Sequence, residues 1–419
     1  MNPVVPEVVR AEPPKRALLF IVLTVFLDSL GIGLFIPVMP SLVMALTGVE
    51  LSQAASIGGW LIMSYALAQF LFAPLLGNLS DQYGRRPVLL LSVAGSAINY
   101  LVAAFAPTMA FVFVGRIVAG MFGASYSTAY AYIADVTPPH KRAENFGLVG
   151  VAFGLGFIFG PAIGGTIGAV DYRIPFFAAA ALAAINVLMG LFILPESLPL
   201  DRRRPFAWAR ATPLGSIRQL RRLGGPLAGL AVVIFLWQLS IQAQHSIWPY
   251  YTAFRYGWTP FEVGVSLAAV GVLAVVVNGL LVKRAVARLG EWKTALIGAS
   301  AGATAFAIYA FASSPVFVFV GIAIGAIGGL TVPALQAMLT SSAPPNEQGE
   351  LQGAVVVLSS ISVIIGPPVM SHIFTRFTAP EAAFQAPGAP FILSSLLSAA
   401  AVAMLLRQRR LSRAEPALV

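Results

Sequence analysis

The sequence has no cysteine and few charged residues, and each shortage excludes whole classes of protein. Without cysteine among its 419 residues, the chain has no disulfide, zinc–thiolate site, iron–sulfur cluster or catalytic thiol. Charged residues make up 10% of the chain, against about 25% in soluble globular proteins, so a soluble fold is excluded. The three histidines lack metal-ligand spacing, and no phosphate-loop lysine follows a glycine-rich run. We therefore expect no enzyme activity, no metal and no cofactor.

The abundant residues are apolar. They make up 58% of the chain and lie in runs of about 20 residues, the length that crosses about 30 Å of hydrocarbon. Because the backbone in lipid must satisfy its own hydrogen bonds, these runs are predicted to be helices, and the fold class is an all-α polytopic membrane protein. Its twelve predicted transmembrane helices, named span one to span twelve, cover 17–46, 54–76, 87–107, 109–133, 145–168, 173–194, 225–250, 261–283, 293–312, 315–340, 349–374 and 388–407.

The basic residues indicate the orientation of these spans. Of the 26 Lys and Arg residues, all except Arg116, Arg173, Arg255 and Arg376 lie in the tails or in the even-numbered connections. The positive-inside rule therefore places both termini in the cytoplasm. The net charge of +10 is thus a topology signal, and we expect no nucleic-acid partner.

The longest polar segment divides the chain into two halves of six spans. This predicted cytoplasmic linker, 195–224, contains seven arginines and is a candidate for a helix lying on anionic headgroups. The predicted organisation is an N-terminal tail (1–16), a six-helix bundle (17–194), the linker, a second six-helix bundle (225–407) and a C-terminal tail (408–419).

The two halves repeat one another. The segment Phe111–Gly115 recurs letter for letter as Phe317–Gly321, an offset of 206 residues, and the same offset pairs Gly84 with Gly290. Glycines and prolines of spans five and eleven match at this offset too. Two equivalent bundles predict a pseudo-two-fold axis along the membrane normal, with a substrate site between the halves near mid-membrane. This arrangement indicates an alternating-access transporter.

Three groups of residues resemble one family. The connection Gly77–Pro87 resembles the signature loop of the major facilitator superfamily, and Gly156–Gly165 in span five resembles the motif of its drug:proton antiporters. Further segments are similar to the tetracycline-efflux branch: Leu27–Gly33, Gly115–Gly120 and Ala334–Leu339. Asn99, Ala274 and Gly302 stand where that branch, as aligned, carries an acid, a histidine and an acid.

The resemblance implies a proton-coupled efflux transporter, driven by the proton gradient without a cofactor, in a bacterial-type inner membrane. Its implied partners are protons, the lipid bilayer and an amphipathic drug-like molecule, tetracycline-like compounds among the candidates, and a monomer would be the functional unit. The alternatives are an uptake symporter, an exporter of lipid-like molecules and, less favoured, a non-transporting membrane sensor.

Two ionisable residues are predicted to lie within the spans. Asp28 follows Arg16 by about 18 Å along a helix and is therefore near mid-membrane, where a carboxylate costs about 3 kcal/mol. It is the candidate proton-binding group, and the alternative is a helix-to-helix hydrogen bond. Arg116, whose repeat counterpart is Ile322, is expected to pair with Asp28 or to face a water-filled cavity.

The connection between spans two and three is the candidate gate, as the resemblance implies. Asp81 would dock on the start of span eleven near Gln348 and Glu350, Arg85 would pair with Asp135, and the network would hold the outward-facing state. The alternative is an ordinary basic loop with helix capping. The other members of the predicted network are Gly77 and Gly84, expected to form a tight turn, and Arg86.

The glycine motif of span five has the spacing for close helix approach, and it serves either packing alone or, in addition, a seal against proton leak. Its members are Gly156, Gly160, Pro161, Gly164 and Gly165.

Polar and aromatic residues within the spans are candidates for lining a drug pocket, although packing is the alternative for each. They are Tyr65, Gln69, Asn99, Tyr126, Gln238, Gln242, Trp248, Asn278 and Gln336. His245, near the outer end of span seven, is expected to be a surface residue.

Overall fold

In the computed structural model, which describes residues 15–208, 225–342 and 348–414, the regular elements are helices. The first half follows the predicted order of spans one to six. Its helices are Lys15–Phe35 and Met39–Thr47 (span one, joined by the 3-10 turn Ile36–Val38), Leu51–Tyr83 (span two), Arg85–Phe105 (span three), Met109–Met121 and Ser125–Val136 (span four), Arg142–Gly168 (span five) and Ile174–Ile193 (span six).

The second half has the corresponding order. Its helices are Gly225–Ser240 and Gln242–Tyr256 (span seven), Pro260–Val276 (span eight, followed by the wider π-turn Val277–Leu281), Val282–Phe311 (which includes span nine), Pro315–Ile327 and Thr331–Ser342 (span ten, joined by the 3-10 turn Gly328–Leu330), Gln348–Thr378 (span eleven) and Ala389–Ala414 (span twelve).

Helical hydrogen bonding continues from span eight through the connection into span nine. The described residues contain 11 helices long and apolar enough to cross a membrane, and one of them, Pro260–Phe311, has 52 residues, enough for two crossings. Its backbone reverses at Gly290, which has φ 76° and ψ 165°. Gly290 thus separates spans eight and nine, and a single glycine with positive φ makes the turn between them.

Gly84, the repeat counterpart of Gly290, makes the same turn between spans two and three, with φ 109° and ψ 166°. Span two continues to Tyr83, well beyond its predicted end at residue 76. Gly77 therefore lies inside a helix, and its predicted role in the turn is wrong. Paired turns at equivalent glycines support the internal repeat.

The connections that follow spans two, four and six meet on one side of the bundle, here called the basic side. Arg85 Nε lies 3.1 Å from Asp135 Oδ2, and the Arg85 backbone N–H donates to Glu196 Oε1 at 2.8 Å. The described part of the predicted linker, 195–208, runs along this side. Its remaining residues, 209–224, lie outside the described part, as do 1–14 and 415–419 of the two tails.

The halves contact each other along two seams. In one, span five packs on span eight: side chains at Gly165 and Gly264 would overlap the carbonyl oxygens of Pro260 and Pro161, respectively. In the other, span two packs on span eleven, and the Thr375 hydroxyl donates to the Ser52 carbonyl oxygen at 2.6 Å. This hydrogen bond joins the halves on the side opposite the basic side.

Candidate functional site

A cavity of about 270 Å³ lies between the two halves and is here called the central cavity. Its walls are mostly apolar and aromatic, with a small number of polar groups. The first half contributes Asp28, Ile32, Phe35, Ile36, Met39, Gly58, Ile62, Tyr65, Ser96, Asn99, Tyr100, Arg116, Ala119, Gly123, Ser125 and Tyr126, and the second half contributes His245, Ser246, Pro249, Tyr250 and Val363.

Asp28 faces this cavity from the middle of span one. Its side chain is 9% exposed, and Ser125 is a hydrogen-bonding neighbour at the start of the second helix of span four. The next residue, Ser29, shares a hydrogen bond of 2.8 Å with the Tyr126 hydroxyl. The carboxyl group thus lies where a ligand or water in the cavity can reach it.

Arg116 faces the same cavity from span four. Its guanidinium carbon lies 4.3 Å from the centre of the Phe35 ring and 5.8 Å from that of Tyr65. Both ion pairs among the described residues involve Arg85, so Arg116 does not pair with Asp28. Of the two expected environments, the cavity is the one observed. Aromatic faces stabilise the cation while leaving its N–H donors available to a ligand.

A second opening, the basic-side cavity, extends the central cavity toward the basic side. It has a volume of about 530 Å³ and shares Gly123, Tyr126 and Val363 with the central cavity. Gln69 lines it from the first half, and Gln336 lines it from the second. The halves are therefore apart on the basic side and joined at the Ser52–Thr375 hydrogen bond on the opposite side.

Among the described residues, no hydrogen bond or ion pair joins the Asp81 side chain to span eleven in this conformation. Asp81 Oδ1 instead lies 2.6 Å from Arg85 Nη1, and Gln348 donates to the Thr340 carbonyl oxygen of its own half. The network was predicted to hold the outward-facing state, and the basic-side cavity is open here, so the docking of Asp81 on span eleven stays a prediction. The side chain of Glu350 lies outside the described part. The Arg85–Asp135 contact is present, and the gating role of the network stays a prediction.

The linker supplies an acid that the sequence reasoning missed. Glu196 accepts hydrogen bonds from the backbone N–H groups of Arg85, Arg86, Ser197 and Leu198. The N–H groups of Arg85 and Arg86 lie in the first turn of span three, where the helix itself has no acceptor for them. The helix dipole there also favours a negative charge. Arg86 reaches the end of span six, donating to the Leu191 carbonyl oxygen at 2.6 Å.

The glycine motif of span five packs on span one as well as on span eight. Side chains at Gly156 and Gly160 would lie 2.7 Å from the carbonyl oxygens of Phe26 and Leu30, and one at Gly164 would overlap that of Leu34. Gly165 and the Pro161 carbonyl face span eight. The expected close approach is present, and a role in preventing proton leak stays a prediction.

Of the predicted pocket residues, Tyr65, Asn99 and Tyr126 line the central cavity, and Gln69 and Gln336 line the basic-side cavity. Four residues of the second half do not line the central cavity, and their prediction is corrected. Trp248 is fully buried and donates to Ser266 at 2.9 Å.

The other three corrected residues are amides bonded within their own half. Gln238 donates to Ser359, Gln242 is buried and donates to the Gln238 carbonyl oxygen, and Asn278 donates to the Ala274 carbonyl oxygen. These contacts satisfy the amides locally, so packing explains them.

Several lining residues were missed. Ile32, Phe35, Ile36 and Met39 follow Asp28 at helical spacing, a signal that the sequence does contain. His245 lines the central cavity instead of the outer surface, which corrects the expectation for it. Span seven is interrupted only at Ile241, between Ser240 and Gln242, and no sequence signal marked which of its residues face the cavity.

Comparison with known proteins agrees with this architecture. The family model described as Major Facilitator Superfamily matches residues 21–367 and, in a second match, 246–418. The chain belongs to the Major Facilitator Superfamily. As a member of this superfamily, the protein is a multi-pass membrane transporter of a small molecule.

Relatives within the Major Facilitator Superfamily cover most of the chain. The tetracycline resistance protein of class C from Escherichia coli is 40% identical over 360 residues, which is 86% of this chain and 90% of the relative. The class G protein from Vibrio anguillarum is 39% identical, over 84% and 89% of the two chains. The crystal structure of the human organic anion transporter MFSD10 (TETRAN) shares the fold, with a TM-score of 0.69, 24% identity and coverage of 94% and 100%.

Proposed function

We propose that this member of the superfamily is a proton-coupled secondary efflux transporter. It exports an amphipathic, drug-like molecule in exchange for protons that move inward. The observation that carries the proposal is the central cavity, where one carboxyl group and one unpaired guanidinium lie within apolar, aromatic walls between the two halves. The relatives named tetracycline resistance proteins support tetracycline as the first substrate to test.

The open basic-side cavity gives water a path to Asp28 in this conformation. There the carboxyl group releases its proton, and Arg116 stabilises the resulting charge across the cavity or binds a polar group of the substrate. Closing the basic side and opening the opposite side exposes the same carboxyl group to the other compartment. Alternating exposure of one proton site exchanges protons for substrate as the halves rock.

The basic connections support a cytoplasmic location for both termini, by the positive-inside rule. The conformation with an open basic side is then the inward-facing one. Each proton that enters along a membrane potential supplies about 2.3 kcal/mol per 100 mV. All groups of the central cavity come from one chain, so we propose that a monomer transports and that no cofactor is needed.

The test uses everted membrane vesicles, whose outer surface is the cytoplasmic face. With an acidic lumen, the wild-type protein should accumulate labelled tetracycline, and addition of tetracycline should make the lumen more alkaline. Asp28→Asn should abolish both signals while the protein keeps its amount in the membrane and its elution position. Asp171→Asn, the same change in an exposed loop, is the matched control.

Three results would contradict the proposal. If the Asp28→Asn variant kept full gradient-driven efflux, Asp28 would not be the proton-binding group. Acidification of the lumen on addition of tetracycline would indicate symport. If the wild-type protein is present and folded in the vesicles but produces no flux, tetracycline is not a substrate. Efflux of this class of molecule is then excluded as well.

A further inference from the structure

A third cavity, here called the second-half cavity, lies inside the second half between spans seven, eight, nine and ten. Its volume is about 270 Å³, the same as that of the central cavity. Trp237, Phe306, Tyr309 and Ile322 contribute to a largely apolar wall. His245 lines both cavities, so the two adjoin at this residue.

The wall of this cavity is the repeat counterpart of the first half's wall of the central cavity. The offset of 206 residues that relates the two halves carries lining residues of one cavity onto lining residues of the other. Three such pairs are Asn99 and Ala305, Tyr100 and Phe306, and Arg116 and Ile322. In each pair, the residue of the first half has a hydrogen-bonding or charged side chain, and its counterpart in the second half is apolar.

Spans one and seven complete the correspondence. Phe26-Leu27 and Pro40 match Phe235-Leu236 and Pro249 at an offset of 209 residues, and this offset carries Asp28 onto Trp237. The carboxyl group of the first half is thus an indole in the second. The indole rests on span nine, where a side chain at Gly302 would lie 2.5 Å from the ring.

The fold therefore contains two related cavities: the central cavity holds Asp28 and Arg116, and the second-half cavity has apolar residues at the equivalent positions. We propose, on the basis of the proposed function, that the second-half cavity is a substrate subsite. This cavity takes the apolar ring portion of an amphipathic molecule. The polar or cationic end of the same molecule lies at Asp28, and His245 contacts the molecule between the two ends.

Filling this cavity tests the proposal. Gly329 lines it, and a methyl group there would make only ordinary contacts, the nearest at 3.5 Å, so Gly329→Leu extends into the cavity. Gly279→Leu adds the same side chain at an exposed position with nothing within 4 Å, and is the matched control. The measurement is binding of tetracycline and of ethidium to the purified full-length chain.

The dissociation constant of the probe that binds should rise about tenfold in Gly329→Leu and stay unchanged in Gly279→Leu, because the ring portion loses its apolar site. Quenching of tryptophan fluorescence locates the probe. If the probe lies beside Trp237, its binding should reduce the fluorescence of the wild-type protein more than that of Trp237→Phe. If Gly329→Leu does not fold, Ala274→Leu, from the facing span eight, replaces it.

The outcomes separate this proposal from the proposed function. Equal affinity of the cavity-filled variant and the control overturns the subsite, even if Asp28-dependent efflux persists. A slower turnover with unchanged affinity also overturns it, because that result assigns the cavity to conformational change. Failure of wild-type protein to bind either probe overturns the subsite as stated, and loss of Asp28 dependence in vesicles overturns the proposed function alone.

Discussion

The guanidinium of Arg116 lies over the ring of Phe35, 4.3 Å from its centre, on the wall of the central cavity. Span four thus holds its cation against span one, the helix that carries Asp28. In the present conformation Arg116 lies at this ring, and the ion pairs of the described residues do not include one between Arg116 and Asp28.

We expect Phe35→Leu to lower the initial rate of efflux about fivefold. The substitution removes a partly desolvated cation–π contact worth about 1 kcal/mol and frees Arg116 to pair with Asp28. The rate is measured with tetracycline in everted vesicles at matched protein levels. Phe159→Leu, the same change at an exposed position of span five, should have no effect. An unchanged rate in Phe35→Leu would show that the contact does not position Arg116.

We expect Thr375→Val to shift the protein toward the conformation closed on the basic side. The variant loses the hydrogen bond to Ser52 that joins the halves on the opposite side, worth about 1 kcal/mol, or about a fivefold change in population. Because the chain has no cysteine, Gln352→Cys in the basic-side cavity reports access without background. Its modification by an impermeant thiol reagent should slow.

The control for this shift is Thr378→Val on the same helix. Thr378 donates to the Phe374 carbonyl oxygen within span eleven, so its loss leaves the contact between the halves intact. Equal modification rates in the two variants would contradict a role for Thr375 in holding the observed conformation.

We expect Gly164→Ala to destabilise the fold by about 1–3 kcal/mol. The methyl group would overlap the Leu34 carbonyl oxygen, so spans one and five would have to separate. Thermal unfolding in detergent measures the change. Gly150→Ala on the same helix meets nothing within 4 Å and should leave the midpoint unchanged or raise it. Equal midpoints of Gly164→Ala and Gly150→Ala would show that spans one and five are not closely packed at Gly164.

We expect Glu196→Ala to lower the unfolding midpoint, because four backbone N–H groups lose their acceptor, including two in the first turn of span three. A lost helix cap costs about 1 kcal/mol. Glu196→Gln keeps an acceptor oxygen and should be milder, and Asp201→Ala in the exposed part of the linker should be neutral. If all three variants unfold alike, Glu196 is not a structural cap.

The sequence predicted the spans and the repeat well because both depend on signals that lipid imposes on every crossing. The length of apolar runs marks the helices, and Gly84 and Gly290 mark equivalent turns. The depth of Asp28 along span one also predicted a mid-membrane carboxyl group, whereas Phe35, which follows it at helical spacing on the cavity wall, was missed.

The orientation of the second half was harder to predict. Trp248 was placed in the pocket although it is a core residue, because an aromatic side chain suits a pocket wall and a packed core equally well. The contact of Asp81 with span eleven stays a prediction for the other conformation, because contacts between the halves depend on which side is open and a sequence does not encode one conformation.

Gly156 allows span five to rest directly on Ser29, the residue after Asp28, while the Gly165 position of the same helix lies on span eight of the other half. A displacement of one half against the other therefore pushes on the backbone that carries the carboxyl group. Steric contact alone, without a relay of intermediate side chains, therefore links the seam between the halves to the backbone of Asp28.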